Sequence, residues 1–320
     1  MRWAVAVLAA GLGTRMRSTR PKVLHELAGR PLLDHVLDVA LQVAEPEQVV
    51  VVIGHGAELV AARVGARRAR TVVQEPQLGT GDALRVALGA LDPGSADGIV
   101  VLSGDVPLLA VRSVRRLMAE LERGAAAVLL TAVLEDGGPY GRVLRDPDGR
   151  VWAVVEARDA DPKALAVREV NAGVYAFRRA SLDPVLVQLA PDNSQGEYYL
   201  TDVVASLRDH GLTVEAVTLE DRDEMRGVNT RGELAAVARV LNERLLASLL
   251  EEGVTVVDPM TTWVAPECSI GRDVILEPGV IVRGRSRIGD GARIGAHAVL
   301  DDAEVEPGEV VPPLALRRRR

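Results

Sequence analysis

A six-residue repeat near the carboxyl end restricts the fold more than any other feature of the sequence. Aliphatic residues recur at that interval without a break, at Ile270, Leu276, Val282, Ile288, Ile294 and Leu300. This spacing is typical of a left-handed parallel β-helix, in which each aliphatic side chain stacks inside a triangular coil. We therefore predict a short left-handed β-helix of hexapeptide repeats over residues 253–311, with about three coils.

The first strand and the loop after it predict a phosphate-binding site. Residues 3–10 are apolar throughout, as in a strand that is buried on both faces of a parallel sheet. The following Gly11-Leu-Gly-Thr14 leaves backbone N–H groups bare, and Arg15 and Lys22 bring two cations to the same loop. Met16 replaces the third glycine of the dinucleotide-binding fingerprint, and the Walker motif is absent, so these two phosphate motifs are excluded. The alternative is an ordinary glycine-rich turn with surface cations.

Alternating apolar strands and amphipathic helices follow, which indicates a doubly wound, Rossmann-like α/β domain. In such sheets ligands bind beyond the carboxyl ends of the strands, where a second glycine loop, residues 74–83, is expected. Asp105 follows the predicted strand at residues 98–102. A carboxylate beside phosphates is a usual ligand of Mg²⁺, although aspartate after glycine is also a common turn former.

Composition narrows the classes of function. The net charge of −7 argues against a nucleic-acid-binding protein, and the single Cys268 fits a reducing cytoplasm. The chain shows neither a secretory leader nor an apolar run of membrane-spanning length, so we expect a soluble cytoplasmic protein. Of 38 basic residues only Lys22 and Lys163 are lysines. A lysine kept directly after Pro21 suggests that a compact ammonium is needed there.

The spacing Leu8-x-x-Gly11-x-Gly13-Thr-Arg-Met16, followed by Pro21-Lys22, resembles the signature of the sugar-phosphate nucleotidyltransferases. Over residues 3–252, and more weakly to the end, the chain is similar to N-acetylglucosamine-1-phosphate uridyltransferases of the GlmU type. The resemblance implies that UTP and N-acetylglucosamine 1-phosphate react to UDP-N-acetylglucosamine and pyrophosphate, for cell-wall precursor synthesis. It also implies a Mg²⁺ cofactor and a homotrimer formed through the β-helix.

The resemblance also assigns roles to individual residues. The expected catalytic residues are Arg15, Lys22 and Asp105, and the expected Mg²⁺ ligands are Asp105 and Asn229. The residues expected at the nucleotide are Leu8, Ala9, Gly11, Gly13, Thr14, Gln74, Gly79 and Thr80, with Gln74 and the backbone of Gly79 reading uracil. The residues expected at the sugar are Gly141, Glu156, Asn171, Tyr199 and Thr201.

Two positions depart from the pattern of the family. Asp82 stands where the family usually has histidine after Gly-Thr-Gly, and Ala172 replaces a threonine that is common between the asparagine and the glycine. An acidic residue such as Asp82 also favours the first turn of a helix, so this loop has a structural explanation besides nucleotide binding.

We expect a nucleotidyltransferase domain over residues 1–229, a linker helix over 230–252, the β-helix over 253–311 and a basic tail over 312–320. The acetyltransferase site of the family lies on a much longer β-helix. Acetyltransferase activity is therefore expected to be absent, and His297 is interpreted as an ordinary coil residue. Two alternatives stay open. One is a uridylyl- or thymidylyltransferase acting on glucose 1-phosphate, and the other is a regulatory homologue that binds sugar nucleotides without turnover.

Overall fold

The computed structural model describes residues 1–92 and 94–318, which form two compact units. The first unit contains Met1–His25 and Leu32–Thr230, and the second contains Glu26–Pro31 and the chain from Arg231 onward. No feature of the sequence predicts that Glu26–Pro31 joins the second unit. The last two residues of the expected basic tail lie outside the described residues.

The described residues before position 231 contain both strands and helices. The strands are β1 (Trp3–Ala9), β2 (Glu26–Leu27), β3 (Arg30–Pro31), β4 (Val49–Ile53), β5 (Arg70–Val73), β6 (Gly98–Ser103), β7 (Ala127–Val133), β8 (Arg142–Arg145), β9 (Val151–Val155), β10 (Glu169–Arg178) and β11 (Val214–Thr218). The helices are α1 (Leu32–Ala40), α2 (Ala57–Gly65), α3 (Thr80–Gly89), α4 (Val111–Glu122), α5 (Pro162–Leu165), α6 (Arg179–Gln188) and α7 (Asp202–Asp209).

One mixed sheet forms the centre of the first unit, in the order β11-β7-β10-β6-β1-β4-β5. Strands β6, β1, β4 and β5 run parallel, which confirms the predicted Rossmann-like α/β class. In contrast, β10 is antiparallel to both of its neighbours, β6 and β7. The chain reaches β10 from the β8–β9 hairpin and the one-turn helix α5, without the long crossover helix that a parallel strand requires.

The central strands are apolar on both sides, so helices must cover both faces of the sheet. Strand β4 reads Val-Val-Val-Val-Ile and is buried along its whole length. Side chains of β1 alternate between two apolar clusters, with Val5 and Val7 in one and Ala4 and Ala6 in the other. This packing fixes the parallel strands so that their carboxyl ends lie along one edge. The loops that leave this edge carry the glycines and Asp105.

The second unit contains helix α8 (Arg231–Glu251) and three small parallel sheets. Its further strands are β12 (Thr255–Val256), β13 (Trp263–Val264), β14 (Ser269–Ile270), β15 (Ile275–Leu276), β16 (Ile281–Arg283), β17 (Arg287–Ile288), β18 (Arg293–Ile294), β19 (Val299–Asp301), β20 (Glu304–Val305), β21 (Val310–Val311) and β22 (Leu316–Arg318). They pair in the orders β12-β15-β18-β21, β13-β16-β19-β22 and β14-β17-β20. This arrangement confirms the predicted left-handed β-helix, and five of the six periodic residues are buried in it.

One coil of the β-helix is a residue shorter than the six-residue repeat predicts. Ser269 pairs with Arg287, 18 positions later, whereas Arg287 pairs with Glu304, only 17 positions later. The shortening falls at the corner after Leu300, where Asp302 has a φ of 50°. His297 also lies at a corner, with a φ of 58°.

The last described strand lies within the expected basic tail. Strand β22 pairs with β19, so the coils continue beyond the predicted end at residue 311. Arg317 forms an ion pair with Glu309, and Arg318 Nε lies 3.2 Å from Asp301 Oδ2. The first two of the four terminal arginines are therefore fixed by acids of the coils, which a run of identical charges in the sequence does not reveal.

Helix α8 buries a polar residue together with the apolar Val237 and Leu246. Asn242 is 6% exposed, and its Nδ2 donates to the carbonyl of Thr262 at 2.8 Å. Its Oδ1 accepts from the N–H of Val264 at 3.0 Å. One side chain thus satisfies two backbone groups of the first coil. Neither α8 nor any other helix in the described part of the chain has the length and apolarity needed to cross a membrane.

Candidate active site

A cavity of about 480 Å³ opens where the loops after β1, β5 and β6 meet, a size suited to a small-molecule ligand. We call it the glycine-loop cavity. Every residue expected at the nucleotide, the metal or the reaction centre lines it: Leu8, Ala9, Gly11, Gly13, Thr14, Arg15, Lys22, Gln74, Gly79, Thr80, Asp105 and Asn229. The structure therefore brings four separate segments of sequence to one place.

The backbone of the first loop requires glycine at position 13. Gly13 has a φ of 63°, and a Cβ at this position would lie 2.7 Å from Cβ of Lys22. The loop then turns, with the N–H of Met16 donating to the carbonyl of Gly13 at 2.9 Å. The side chain of Met16 is 1% exposed and anchors the turn in the core. This anchoring role explains why a large apolar residue, and not a third glycine, occupies position 16.

Lys22 connects the glycine loop with both predicted metal ligands. Its Nζ lies 2.5 Å from Asp105 Oδ2 and donates to Asn229 Oδ1 at 3.0 Å. The side chains of Lys22 and Asp105 are only 13% and 17% exposed, so their attraction is stronger than that of a surface pair. The backbone of Lys22 begins a short 3₁₀ turn whose other two residues are buried, which holds the lysine in place.

Hydrogen bonds between loops hold the two predicted metal ligands next to each other. The N–H of Gly104 donates to the carbonyl of Leu8 at 2.9 Å, which fixes the loop of Asp105 against β1. The N–H of Val228 donates to the carbonyl of Asp105 at 2.9 Å, which fixes the segment of Asn229. The position of each ligand is thus set by the backbone of a neighbouring residue.

The donor set suits a hard divalent cation that keeps other ligands. Asp105 offers a carboxylate and Asn229 an amide oxygen, and both oxygens converge on one cationic atom, Lys22 Nζ. Residues 1–92 and 94–318 hold no group of three or more His, Cys, Asp or Glu side chains that could bind a metal by itself. Phosphate and water oxygens would have to complete the coordination, which is the arrangement that Mg²⁺ prefers.

Arg15 lines the same cavity but is not held by the protein. Its side chain is exposed, and it forms no ion pair or hydrogen bond with the described residues. A guanidinium that is free of protein carboxylates can pair with the oxygens of an anionic ligand. Arg15 and Lys22 therefore present two different kinds of positive charge to the cavity, one free and one paired.

The loop after β5 contributes Gln74, which is 3% exposed. Its Nε2 donates to the carbonyl of Gly79 at 3.0 Å and to Asp82 Oδ2 at 2.8 Å. Its backbone N–H donates to the carbonyl of Ile53 at 2.9 Å, which continues the pairing of β5 with β4. Both the main chain and the side chain of Gln74 are thus fixed.

The Gly79–Gly81 segment packs directly on the backbone around residue 198. Gly79 has a φ of 110°, and a Cβ there would lie 2.7 Å from the carbonyl oxygen of Tyr198. The N–H of Gly81 donates to that same oxygen at 2.7 Å, and Thr80 Oγ1 accepts from the N–H of Leu200 at 3.1 Å. Glycine is required at position 79 for its conformation and for this close approach.

A second pocket, of about 200 Å³, lies at the end of the β8–β9 hairpin. We call it the Glu156 pocket, and its lining residues are Pro139, Glu156, Ala157, Arg158, Gln195, Glu197 and Tyr199. Two of the residues expected at the sugar, Glu156 and Tyr199, line it directly. Glu197 lines both cavities, so they share one wall.

Burial is the main cause of the pKa shifts of Glu156 and its neighbours. It raises the pKa of the Glu156 carboxyl, while the hydrogen bond from Thr201 Oγ1 to Glu156 Oε1, at 3.2 Å, acts in the opposite direction. Burial also raises the pKa of the Asp202 carboxyl and raises the pKa of Tyr199 to about 12. Burial thus disfavours the ionised form of Glu156, and a neutral hydroxyl or amide group suits this carboxyl better than a phosphate does.

The other residues expected at the sugar line neither cavity and lie behind Glu156. Asn171 is 8% exposed, and its Nδ2 donates to the hydroxyl of Tyr175 at 2.6 Å. The backbone N–H of Asn171 donates to the carbonyl of Gly141 at 2.9 Å. A Cβ at Gly141 would lie 3.5 Å from Glu156 Oε2. Thr201 thus holds Glu156 directly, and Asn171 is joined by its backbone to Gly141, which lies close to the Glu156 carboxyl.

Three polar residues of the glycine-loop cavity were not predicted, namely Gln77, Ser103 and Glu197. Gln77 and Ser103 each lie two positions before a predicted residue, Gly79 and Asp105. Their places, in the loop after β5 and at the end of β6, could therefore have indicated that they line the cavity. Glu197 belongs to a distant segment of sequence. It reaches the cavity because the N–H of Tyr198 donates to the carbonyl of Leu78 at 2.8 Å. No local pattern in the sequence indicates that hydrogen bond.

Two models of known protein families match this chain, one in each unit. Residues 5–196 match the model of the MobA-like NTP transferase domain, which is more than half of the chain. Residues 267–302 match the model of the bacterial transferase hexapeptide, with six repeats. The first match includes the glycine loop, Gln74, Gly79 and Asp105, and the second includes the regular coils of the β-helix.

Curated relatives with the name "Bifunctional protein GlmU" are similar to this chain over nearly its whole length. The protein of Thermobifida fusca is 48% identical over 314 residues, that of Streptomyces avermitilis 46% over 310 and that of Heliobacterium modesticaldum 45% over 306. These alignments cover 95–96% of this chain but only 64–66% of the relatives. The chain therefore spans slightly less than two thirds of the length of these relatives.

Proposed function

Because the chain belongs to the MobA-like NTP transferase family, we propose that it transfers a uridylyl group from UTP to N-acetylglucosamine 1-phosphate. The products are UDP-N-acetylglucosamine and pyrophosphate. The observation that carries this proposal is the convergence of Lys22, Asp105 and Asn229 in the glycine-loop cavity. The similarity to proteins named GlmU supports this pair of substrates, because it agrees with the resemblance in the sequence motifs.

The charges of the glycine-loop cavity suit a nucleoside triphosphate. Arg15 is free to pair with phosphate oxygens, and the loop at Gly11–Thr14 exposes backbone next to it. Lys22 adds a partly buried ammonium, whose attraction to a phosphate is less screened than it would be at the surface. Together these groups bind and orient an anion before any reaction takes place, which lowers the entropic part of the barrier.

We further propose that Asp105 and Asn229 hold Mg²⁺. When bound, this ion neutralises charge on the phosphates and keeps them in a fixed arrangement. The oxygens of both residues already lie against a positive charge, the ammonium of Lys22, which supports a cation site at this position.

The proposed reaction requires no general base, because the attacking group is a phosphate oxygen that is already anionic. This oxygen forms a bond to the α-phosphorus of UTP, and the bond from that phosphorus to the oxygen of the β-phosphate breaks. The negative charge leaves on pyrophosphate, where Arg15 and Lys22 stabilise it. The residues of this chain thus contribute alignment and charge neutralisation, the main contributions to phosphoryl-transfer catalysis.

We assign the sugar to the Glu156 pocket. The buried carboxyl of Glu156 accepts hydrogen bonds, and Tyr199 adds a hydroxyl and an aromatic face. The wall that this pocket shares with the glycine-loop cavity, Glu197, brings the two substrates next to each other. Transfer between them then needs no large movement of either substrate.

We also propose that the chain forms a homotrimer through one face of the β-helix. The outward residues of the sheet β13-β16-β19-β22 form an apolar column, made of Trp263, Ile281, Val299 and Leu316. In contrast, the outward residues of the sheet β14-β17-β20 are Ser269, Arg287 and Glu304. An exposed apolar column on one face is typical of a contact with another chain. We place this assembly in the cytoplasm, in keeping with the single free Cys268.

The test is release of pyrophosphate by the purified chain with UTP, Mg²⁺ and either N-acetylglucosamine 1-phosphate or glucose 1-phosphate. We expect kcat/KM to be at least about tenfold higher for the acetylated sugar, and activity to vanish when the metal is chelated. A preference for glucose 1-phosphate would identify a different transferase. Binding of UDP-N-acetylglucosamine without turnover of any pair of substrates would identify a regulatory protein.

A further inference from the structure

We propose that Asp82 is a positioning residue that orients the side-chain amide of Gln74, and that this orientation selects uracil over cytosine. The proposal deepens the function proposed above, because it concerns the base of the nucleotide in the glycine-loop cavity. It also gives a role to the residue that departs from the family pattern.

The neighbours of Gln74 decide which end of its amide faces them. The carbonyl of Gly79 and the carboxylate of Asp82 lie 3.0 Å and 2.8 Å from the same terminal atom of Gln74. Both are acceptors only, so this atom must be the NH₂ nitrogen. The reverse orientation would place the carbonyl oxygen of Gln74 against two acceptors, which is unfavourable in a side chain that is 3% exposed.

Of these two neighbours, Asp82 has the larger effect on the orientation. The carbonyl of Gly79 also accepts from the N–H of Ala83 at 3.1 Å, so it is already used by the first turn of α3. The contact of Asp82 is charge-assisted, and such hydrogen bonds are about twice as strong as neutral ones. Asp82 lies in the first turn of α3, where the helix dipole favours a carboxylate.

This orientation leaves a defined pair of groups for the ligand. Gln74 Oε1 accepts no hydrogen bond, and the backbone N–H of Gly79 donates none, within residues 1–92 and 94–318. Both residues line the glycine-loop cavity. The cavity therefore presents one free acceptor and one free donor on residues that are themselves joined by a hydrogen bond.

The polarity of this pair matches uracil and opposes cytosine. Uracil has an N3–H donor next to its O4 acceptor, so the N3–H can donate to Gln74 Oε1 while O4 accepts from the N–H of Gly79. Cytosine has the reverse pattern, an N3 acceptor next to an N4 amino donor. With Gln74 fixed by Asp82, cytosine would place acceptor against acceptor and donor against donor. Such unmatched buried groups are strongly rejected.

The experiment compares UTP with CTP in the wild type and in the variants Asp82→Ala, Asp82→Asn and Glu58→Ala. The asparagine variant would keep an acceptor for the NH₂ of Gln74, whereas the alanine variant would remove it. Glu58 is an exposed acid in the first turn of α2, so Glu58→Ala controls for loss of a charge at a helix start. The measured quantity is the ratio of UTP to CTP affinity by titration calorimetry, together with the same ratio of kcat/KM values.

We expect Asp82→Ala to lower the UTP to CTP ratio by at least about tenfold, the size of one charge-assisted hydrogen bond. Asp82→Asn should keep the ratio within about threefold, and Glu58→Ala should leave it unchanged. An unchanged ratio in Asp82→Ala, or equal losses in the alanine and asparagine variants, would overturn the proposal. A purely structural role for Asp82 would lower both affinities without changing their ratio, and this too would overturn it.

The experiment stays informative if one variant fails to fold or if the wild type shows no turnover. If Asp82→Ala does not fold, Asp82→Ser replaces it, because serine favours the start of a helix but is too short to reach Gln74. The binding ratio does not depend on turnover. A wild type that prefers UTP in binding but releases no pyrophosphate would contradict the proposed reaction and leave the orientation argument supported.

Discussion

The glycine-loop cavity and the Glu156 pocket belong to the same unit and share Glu197. They differ in the partner of their buried carboxylate, which is a cation in the first and a neutral hydroxyl in the second. In the glycine-loop cavity the carboxylate of Asp105 is paired with a cation, because its Oδ2 lies 2.5 Å from Lys22 Nζ. In the Glu156 pocket the acid accepts from a neutral hydroxyl, and burial raises its pKa. The first arrangement suits a ligand of high charge, and the second suits a neutral one.

Substitutions in the two cavities should therefore affect different kinetic constants. Substitutions in the glycine-loop cavity alter groups that stabilise a developing charge, so they should lower kcat. Substitutions in the Glu156 pocket alter groups that hold a neutral sugar in the ground state and the transition state alike, so they should raise KM for the sugar phosphate. Single substitutions in each cavity, with a matched control, distinguish the two effects.

Asp105→Ala should lower kcat by about 1,000-fold or more, because it removes the carboxylate that contacts Lys22 and, in our proposal, holds the metal. The rate of pyrophosphate release at saturating substrates measures this. Asp183→Ala is the matched control, since it removes a half-exposed carboxylate from a surface ion pair with Arg179 and should leave kcat unchanged. A rate above a tenth of wild type in Asp105→Ala would contradict the assigned role.

Lys22→Arg should lower kcat by about 100-fold although it keeps the charge. The guanidinium is wider than the ammonium that fits between Asp105 and Asn229, and Gly13 leaves no free space beside the stem of the side chain. Lys163→Arg is the control within the same chain, because Lys163 is exposed and outside both cavities. Similar rates for the two variants would show that position 22 needs only a positive charge.

Glu156→Gln should raise KM for the sugar phosphate by about tenfold with little change in kcat, and should also stabilise the fold at neutral pH. A carboxyl with a raised pKa binds its proton more tightly in the folded state, so the wild type loses stability as pH rises above about 4.3, the unfolded value. Glutamine can still accept from Thr201 and carries no charge. The gain in stability should therefore appear as pH rises and vanish in acid.

Melting temperatures from pH 4 to pH 8 and initial rates measure the two effects of Glu156→Gln. The exposed Glu135 provides the control, because Glu135→Gln should change neither quantity. A lower melting temperature of Glu156→Gln at pH 8 would show that the buried carboxylate does not destabilise the fold. An unchanged KM would show that it does not bind the sugar.

Ile281→Glu should have the smallest effect on turnover, less than about twofold, because every lining residue of both cavities lies in the first unit. It should instead dissociate the proposed trimer, since it places a charge in the apolar column of the β-helix. Light scattering after gel filtration measures the mass. Val310→Glu places the same charge on a different face and should leave the mass unchanged. A trimeric Ile281→Glu variant would exclude this face.

Most of the glycine-loop cavity was predictable because its groups lie in short segments that directly follow the strands β1, β5 and β6. These three segments converge at one edge of a parallel sheet, so the positions of the strands indicate the position of the cavity. Asn229 follows no strand directly and was predicted only from the resemblance. The sequence does not reveal that Lys22 contacts Asp105 and Asn229, since these contacts join distant segments. The sequence likewise does not reveal that Gln74 pairs with Asp82, because the loop conformation decides this contact.

The residues behind Glu156 show where resemblance to a family stops being informative. Asn171 occupies the expected position, but its side chain donates to Tyr175 and accepts from the N–H of Gly173 at 3.0 Å. A motif fixes which residue stands at a position but not which neighbour takes its hydrogen bonds. The assignment of Asn171 to the sugar therefore stays a prediction.

The second unit shows the same limit for a regular pattern. The six-residue period predicts the strands and the buried face, because each inward residue must fill the same space. It does not predict the coil shortened by one residue after Leu300, or the ion pairs that fix Arg317 and Arg318. Nor does it reveal that Asn242 of α8 satisfies two backbone groups of the first coil. Each of these features depends on one particular contact and not on a repeat.

The scarcity of lysine makes this chain a convenient subject for spectroscopy. Reductive methylation with ¹³C-formaldehyde would label only Lys22, Lys163 and the amino terminus, giving three separate resonances. The extent of labelling of Lys22 would report on the access to the ammonium beside Asp105, and the labelling of the exposed Lys163 would serve as an internal reference. Occupancy of the reaction centre could then be followed in solution without any engineered probe.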